Sequence, residues 1–174
     1  STADGVAKPV KWIGRRAYGR PFLDGNKRIA PIVFAAGSLG PSTPSRDLSV
    51  SPEHAMFVDH VLVPAYLLDN GLSIRQDMGR EQIAYFHVEF EGPEVIFTDG
   101  APTESYVAHG NRAMFTNHAD YIALYGEDDA GQGERRRRFH MIFEGAGLDA
   151  VRERLRVEAE QAASGDAGKP KGTI

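Results

Sequence analysis

The stretch Leu48-Ser-Val-Ser-Pro-Glu-His-Ala-Met-Phe-Val58 decides how this chain is read. Leu48, Val50, Met56, Phe57 and Val58 form a strand-like apolar run, but Pro52 interrupts it and His54 follows at once. Proline has no N–H to give to a sheet ladder, so the chain turns at residues 51–54. The turn carries the Ser51 hydroxyl and the His54 imidazole toward one point. There a hydroxyl can orient a carbonyl while an imidazole protonates a departing amide nitrogen. For a lone histidine the plainer reading is a core-edge ring bonded to a backbone carbonyl.

Outward from this stretch, between Val6 and about Val95, apolar residues come in short runs separated by Gly, Pro, Asn and Asp. That pattern predicts a mainly β body with tight hairpins. Asp4-Gly5, Asp69-Asn70-Gly71 and Asp99-Gly100 are the sharpest turn signals, since Asn and Gly tolerate positive φ. Residues 61–68 and 72–75 are expected to pair around Asn70-Gly71. Residues 83–90 and 94–98 read as strands flanking Glu91-Gly92-Pro93. One or two short helices follow toward the C-terminus. The first spans about 118–125, with Thr116 or Asn117 as N-cap and Gly126 as stop. The second spans about 148–163, with Leu148, Val151 and Leu155 on one face. Trp12 and Ile13 are expected in the core. No internal repeat is visible.

A chain of 174 residues, 41% hydrophobic and 25% charged, suits a single globular core with a tail. A net charge of −4 argues against sequence-independent nucleic-acid binding, which needs a dense basic face. The absence of cysteine removes disulfides, thiolate metal sites and thiol nucleophiles from these residues. No apolar run is long enough to span a bilayer, so no membrane segment is expected. The compartment is not legible from composition. Asp59-His60 could bind a metal, but with no third ligand at suitable spacing a strand-end or turn pair is the better reading, and no metal or cofactor is expected. Gly37-Ser-Leu-Gly40 lacks the lysine of a phosphate loop. His109 and His118 read as loop or helix-cap residues, and Arg135 to Arg138 as a solvated run.

Ser51-Pro-Glu-His54 resembles the Thr-x-x-His motif of Hint domains, the hedgehog/intein autoprocessing modules. Residues 86–100, Phe-His-Val-Glu-Phe-Glu-Gly-Pro-Glu-Val-Ile-Phe-Thr-Asp-Gly, are similar without a gap to the family's late motif. Segments 10–16, 46–54 and 62–71 resemble a bacterial branch of the family. The likeness runs over roughly residues 1–127 and rests on several ordered motifs. It implies a Hint-type curved β assembly over 1–127; beyond it the residues themselves read as a linker with a short strand or extended piece over 128–147, a helix over 148–163 and, rich in Gly, Lys and Pro, a disordered tail over 164–174. It also implies a soluble part of a secreted or surface bacterial protein.

In the resembling modules a neighbouring thiol attacks a backbone carbonyl, and the amide becomes a thioester that water or a small nucleophile opens. The resemblance assigns His54 as the proton donor and Ser51 as the group holding the scissile carbonyl. It makes His87 a second acid or base, and Asp47 a weaker candidate for orienting an imidazole. The substrate would be the chain's own N-terminal flanking polypeptide, cleaved in cis in a single turnover. Two departures matter. Ser1-Thr-Ala-Asp-Gly5 matches the end of the family's opening strand, so the nucleophile segment is expected to be missing from this chain, and Ser1 is a poor substitute for it. Glu104-Ser-Tyr106 stands where an intein has His-Asn followed by Cys, Ser or Thr. Without the Asn amide, splicing is not expected. The competing readings are a non-catalytic β binding or structural module, and a trans-acting hydrolase using Ser51 or Ser105. Neither serine lies in a Gly-x-Ser-x-Gly elbow.

Overall fold

The computed structural model describes residue 2 and residues 5–127 and 137–166. Ser1, the segment 128–136 with Arg135, and the part of the expected tail from 167 onward lie outside the described residues.

Nine strands form three antiparallel sheets among the described residues. Strand β1 (Trp12–Gly19) and β7 (Gln82–Glu89) make a long two-stranded ribbon. β2 (Ile32–Phe34) lies between β3 (Leu48–Val50) and β6 (Ile74–Gln76). The third sheet has the order β5-β4-β9-β8, built from β4 (Ala55–Val58), β5 (Val61–Pro64), β8 (Val95–Thr98) and β9 (Ala101–Glu104). Pro52 now has its reason. Residues 51–54 carry the chain from the β3 sheet into the β4 sheet, where a continuous strand could not go.

Inward residues of the two larger sheets, among them Ile32, Phe34, Leu48, Val50, Met56, Val63 and Ile74, form the main core. Helix α3 (Ala146–Asp166) closes it with Leu148, Val151 and Leu155, each at most 3% exposed. Burying three such side chains contributes several kcal/mol, at about 25 cal/mol per Å² of apolar surface. The helix starts two residues before the expected 148 and continues past 163. A second cluster joins Trp12 to Phe115 and to Tyr121 of helix α2 (His118–Tyr125). Gly126, at φ 82°, ends α2 as expected. Asn117 stands at its N-cap without capping. Its side-chain oxygen accepts from Arg15 N–H, and its amide donates to Ile13 O, tying α2 to β1.

The structure corrects two local expectations. The pairing around Asn70-Gly71 does not form. Ala65–Leu68 is a 3-10 turn, and β6 pairs with β2. The hairpin partner of β5 is β4, joined by Asp59-His60 with φ 49° and 68°. That is the left-handed pair of a primed turn, at the two residues expected to form a strand end or turn though not a hairpin. The two strands expected on either side of Glu91-Gly92-Pro93 are present as β7 and β8, and they belong to different sheets. Ile13 faces outward at 44% exposure, because alternation along β1 sends Trp12, Gly14 and Arg16 inward. A short helix α1 (Arg20–Leu23), opened by Pro21, has no sequence counterpart above. Asp99-Gly100, at φ 49° and 83°, does join β8 to β9 as a hairpin.

Candidate functional site

Two backbone devices fix the turn after β3. His54 N–H donates to Ser51 O at 3.0 Å, with Pro52 pre-set inside the turn. The first amides of the 3-10 turn, Ala65 and Tyr66, donate to His54 O and Pro52 O at 2.9 Å each. Ser51 and His54 are thus held by main-chain bonds, leaving both side chains available.

His87 arrives from the ribbon. In β7 it stands opposite Gly14 of β1. A Cβ at residue 14 would come within 2.8 Å of Trp12 Cζ3 and 2.9 Å of Phe115 Cδ1. Glycine is therefore required for Phe115 to seat against Trp12 and, at 5.2 Å between centroids, against the His87 ring. Tyr106 flanks the same ring at 6.0 Å. The imidazoles of His54 and His87 meet edge to face, with centroids 6.3 Å apart and 62° between their planes.

Ser51, His54 and His87 all line one cavity of about 250 Å³. Together with Tyr85 they also line a neighbouring cavity of about 180 Å³ bounded by Leu48, Val50, Phe86 and Thr98, so these four residues border both hollows. Among the described residues, neither imidazole nor the Ser51 hydroxyl has a hydrogen-bond partner. The reading of His54 as a ring bonded to a backbone carbonyl therefore does not hold. Burial, and secondarily the neighbouring His87, pull His54 from 6.5 down to about 4. Burial and then the Arg16 guanidinium do the same to His87, also to about 4. Both rings are neutral at pH 7. A neutral imidazole can take a proton from a nucleophile, and an imidazolium of such low pKa is a strong acid toward a leaving nitrogen.

Asp47 stands apart from this group. It is exposed, and its Oδ1 accepts from Ala36 N–H at 2.9 Å, which pins the 36–47 loop. Ser105 is buried, and its hydroxyl accepts from Glu94 N–H at 3.0 Å. Asp59, of the possible metal pair, is held by Arg154 through two bonds of 3.0 and 3.1 Å. No group of three or more metal-ligating side chains gathers among the described residues. No helix of the described residues is long and apolar enough to cross a membrane.

Sequence reasoning missed several residues of the first cavity: Arg16, Arg28, Glu104, Tyr106 and Arg137. Arg16 is legible in hindsight from the alternation Trp12, Gly14, Arg16, Tyr18 along the inner face of β1. Glu104 is buried, and burial raises its carboxyl pKa while Arg137, at 3.5 Å, opposes the rise. Arg137 comes from a strap that no local pattern ties to the site. The strap bonds along the β5 edge, with Leu62 N–H to His140 O and Ile142 N–H to Leu62 O, both 2.9 Å. Phe139 stacks on Phe57 at 4.4 Å, and Arg138 reaches Glu94 at 3.2 Å.

Behind the site, Arg112 grips Glu89 through bonds of 3.0 and 2.6 Å, both groups nearly fully buried. The same guanidinium lies 4.4 Å from the Tyr121 ring centroid. This pair locks the segment carrying Phe115 onto β7, two residues from His87.

Set against known proteins, a family model described as a Hint domain matches residues 1–110. No curated protein and no solved structure matches the chain.

Proposed function

The chain belongs to the Hint domain family, and on that premise we propose that it is an autoprocessing module of the bacterial branch, cleaving at its own N-terminal junction. The observation that carries this reading is the convergence on one cavity of Ser51 and His54, from a single turn, with His87, which is remote from them in sequence. In the proposed step a nucleophile upstream of Ser1 attacks the preceding carbonyl. The C–N bond breaks as a C–S or C–O bond forms, and the nucleophile's proton reaches the freed amine through His54. Ser51 holds the carbonyl, and His87 serves the second proton transfer. Water or a small nucleophile then attacks the ester or thioester, releasing the upstream polypeptide and restoring the nucleophile.

The start of the chain supports this placement. Thr2 is 2% exposed and bridges Ile96 on the free edge of β8 in antiparallel sense. Continued in that register, a residue two positions upstream of Thr2 would face Thr98, which borders the smaller cavity beside His54 and His87. Residues 104–106, Glu-Ser-Tyr, supply no Asn for cyclisation, so cleavage would proceed without splicing.

The test restores an upstream segment beginning with Cys, preceded by a reporter polypeptide, and follows release by intact mass. Release that His54→Ala abolishes and His87→Ala slows is the expected result. A precursor that stays whole even with added thiol would instead favour a non-catalytic binding or structural module. Release of an unrelated ester or peptide by the chain alone would favour a hydrolase.

A further inference from the structure

Resting on the autoprocessing reading, we propose that the cavity holds a carboxylate between Arg16 and Arg28, so that an acid-bearing group is placed next to His54 and His87. This assigns a substrate class to the site.

Three guanidinium groups line the cavity: Arg16 from β1, Arg28 from the loop before β2, and Arg137 from the strap. Two carboxylates accompany them. Buried Glu104 is engaged by Arg137 at 3.5 Å, while Glu53 is exposed at the rim. Arg16 and Arg28 make no ion pair or side-chain hydrogen bond with any described residue. Arg16 is half-buried and its guanidinium lies 4.8 Å from the Tyr18 ring centroid, a contact that leaves its charge unneutralised, whereas Arg28 is exposed at the mouth. In a partly desolvated hollow an unneutralised guanidinium is costly, and a planar carboxylate matches its donor fork. The other groups facing the space, the phenols of Tyr18, Tyr85 and Tyr106, supply no negative charge at neutral pH.

The placement has a chemical consequence. Arg16 stands diagonally across the ribbon from His87, one inward position along from Gly14, and its charge opposes protonation of that ring. A carboxylate on Arg16 would cancel this opposition. Arrival of the acid-bearing group would then raise the basicity of His87 when a proton has to be taken up. Binding and proton transfer would be coupled through one guanidinium.

The carboxylate could belong to a free acyl acceptor, such as an amino acid attacking through its amine, or to an acidic side chain of the flanking peptide. Titrations of the chain at pH 7, with the His87 and His54 ring signals followed by NMR, separate the two sources. Glycine is compared with ethanolamine, and acetyl-Asp-Gly-amide with acetyl-Asn-Gly-amide. Tighter binding of glycine identifies a small acceptor, and tighter binding of the Asp peptide identifies the flanking chain. In either case Arg16→Gln and exposed Arg28→Gln should each weaken the anion by roughly tenfold. Arg152→Gln, far from the cavity, should change nothing. If neither anion binds better than its neutral partner, or both arginine variants bind it at full strength, the proposal is overturned. Binding is read without turnover, so anion binding with no cleavage in the restored precursor would sink only the autoprocessing reading. Cleavage without anion preference would sink only this one.

Discussion

Lowering the pH should destabilise the fold through its two imidazoles, and the amount can be worked out. His54 and His87 each titrate at about 4 in the folded chain, against 6.5 when exposed. Between those values the unfolded chain binds protons that the folded chain refuses, so stability is whole above pH 6.5 and falls as pH drops toward 4. At about 1.36 kcal/mol per pH unit, each ring accounts for about 3 kcal/mol and the two for about 7. Each ring keeps some contact with water, and their mutual repulsion enters once, so roughly half of that, about 3 to 4 kcal/mol, is the expected loss. Urea unfolding at intervals from pH 7.5 to 4 reads it, with the His54→Gln/His87→Gln double variant as reference. Carboxylates titrate in both proteins, so the difference between the two curves isolates the imidazoles. His87→Gln alone should raise the pKa of His54, because it removes a neighbouring charge. If the two stability curves run parallel from pH 6.5 to 4, or either ring titrates near 6.5 by NMR, the account of a desolvated, coupled pair is wrong.

Three further outcomes follow from the packing. Arg112→Met leaves the Glu89 carboxylate buried and alone and should cost about 3–5 kcal/mol by denaturant unfolding, whereas adding Glu89→Gln should recover much of it. Gly14→Ala drives a methyl into Trp12 and Phe115. It should cost about 1–3 kcal/mol, with the His87 ring signal displaced because Phe115 must move. Leu155→Ala should cost about 2–5 kcal/mol, in a single transition shared by far-UV and tryptophan signals, since α3 completes the main core.

The parts of the fold legible in the sequence are those governed by local backbone chemistry. Asp99-Gly100 announces its hairpin because glycine accepts positive φ, and Gly126 announces the end of α2 for the same reason. Pro52 announces a change of direction, though not that the chain passes between sheets there. Asp59-His60 reads as a strand-end or turn pair but, lacking glycine, not as a hairpin, and the more conspicuous Asn70-Gly71 attracts the wrong pairing. Its residues instead serve a side-chain-capped loop, with Asn70 Oδ1 accepting from Leu72 and Ile74 N–H.

The site divides along the same line. Ser51 and His54 are near neighbours in one turn, so their meeting was readable, and His87 was reached through the family resemblance. Asp47 was drawn in by proximity in sequence, yet its carboxylate serves the Ala36 amide. Glu104, Arg28 and Arg137 meet only through tertiary structure. Nothing in the chain between 104 and 137 signals that the two ends form an ion pair across the cavity.

The dependence of that cavity on the strap, and of the main core on α3, bears on how the molecule can be cut. A shortened version ending at residue 110, where the family likeness stops, would leave Phe34, Met56 and Val63 without their cover from α3, and Trp12 without Phe115. It would present raw oily surface to water and clump. Any shortened form of this domain meant to fold should run through residue 166.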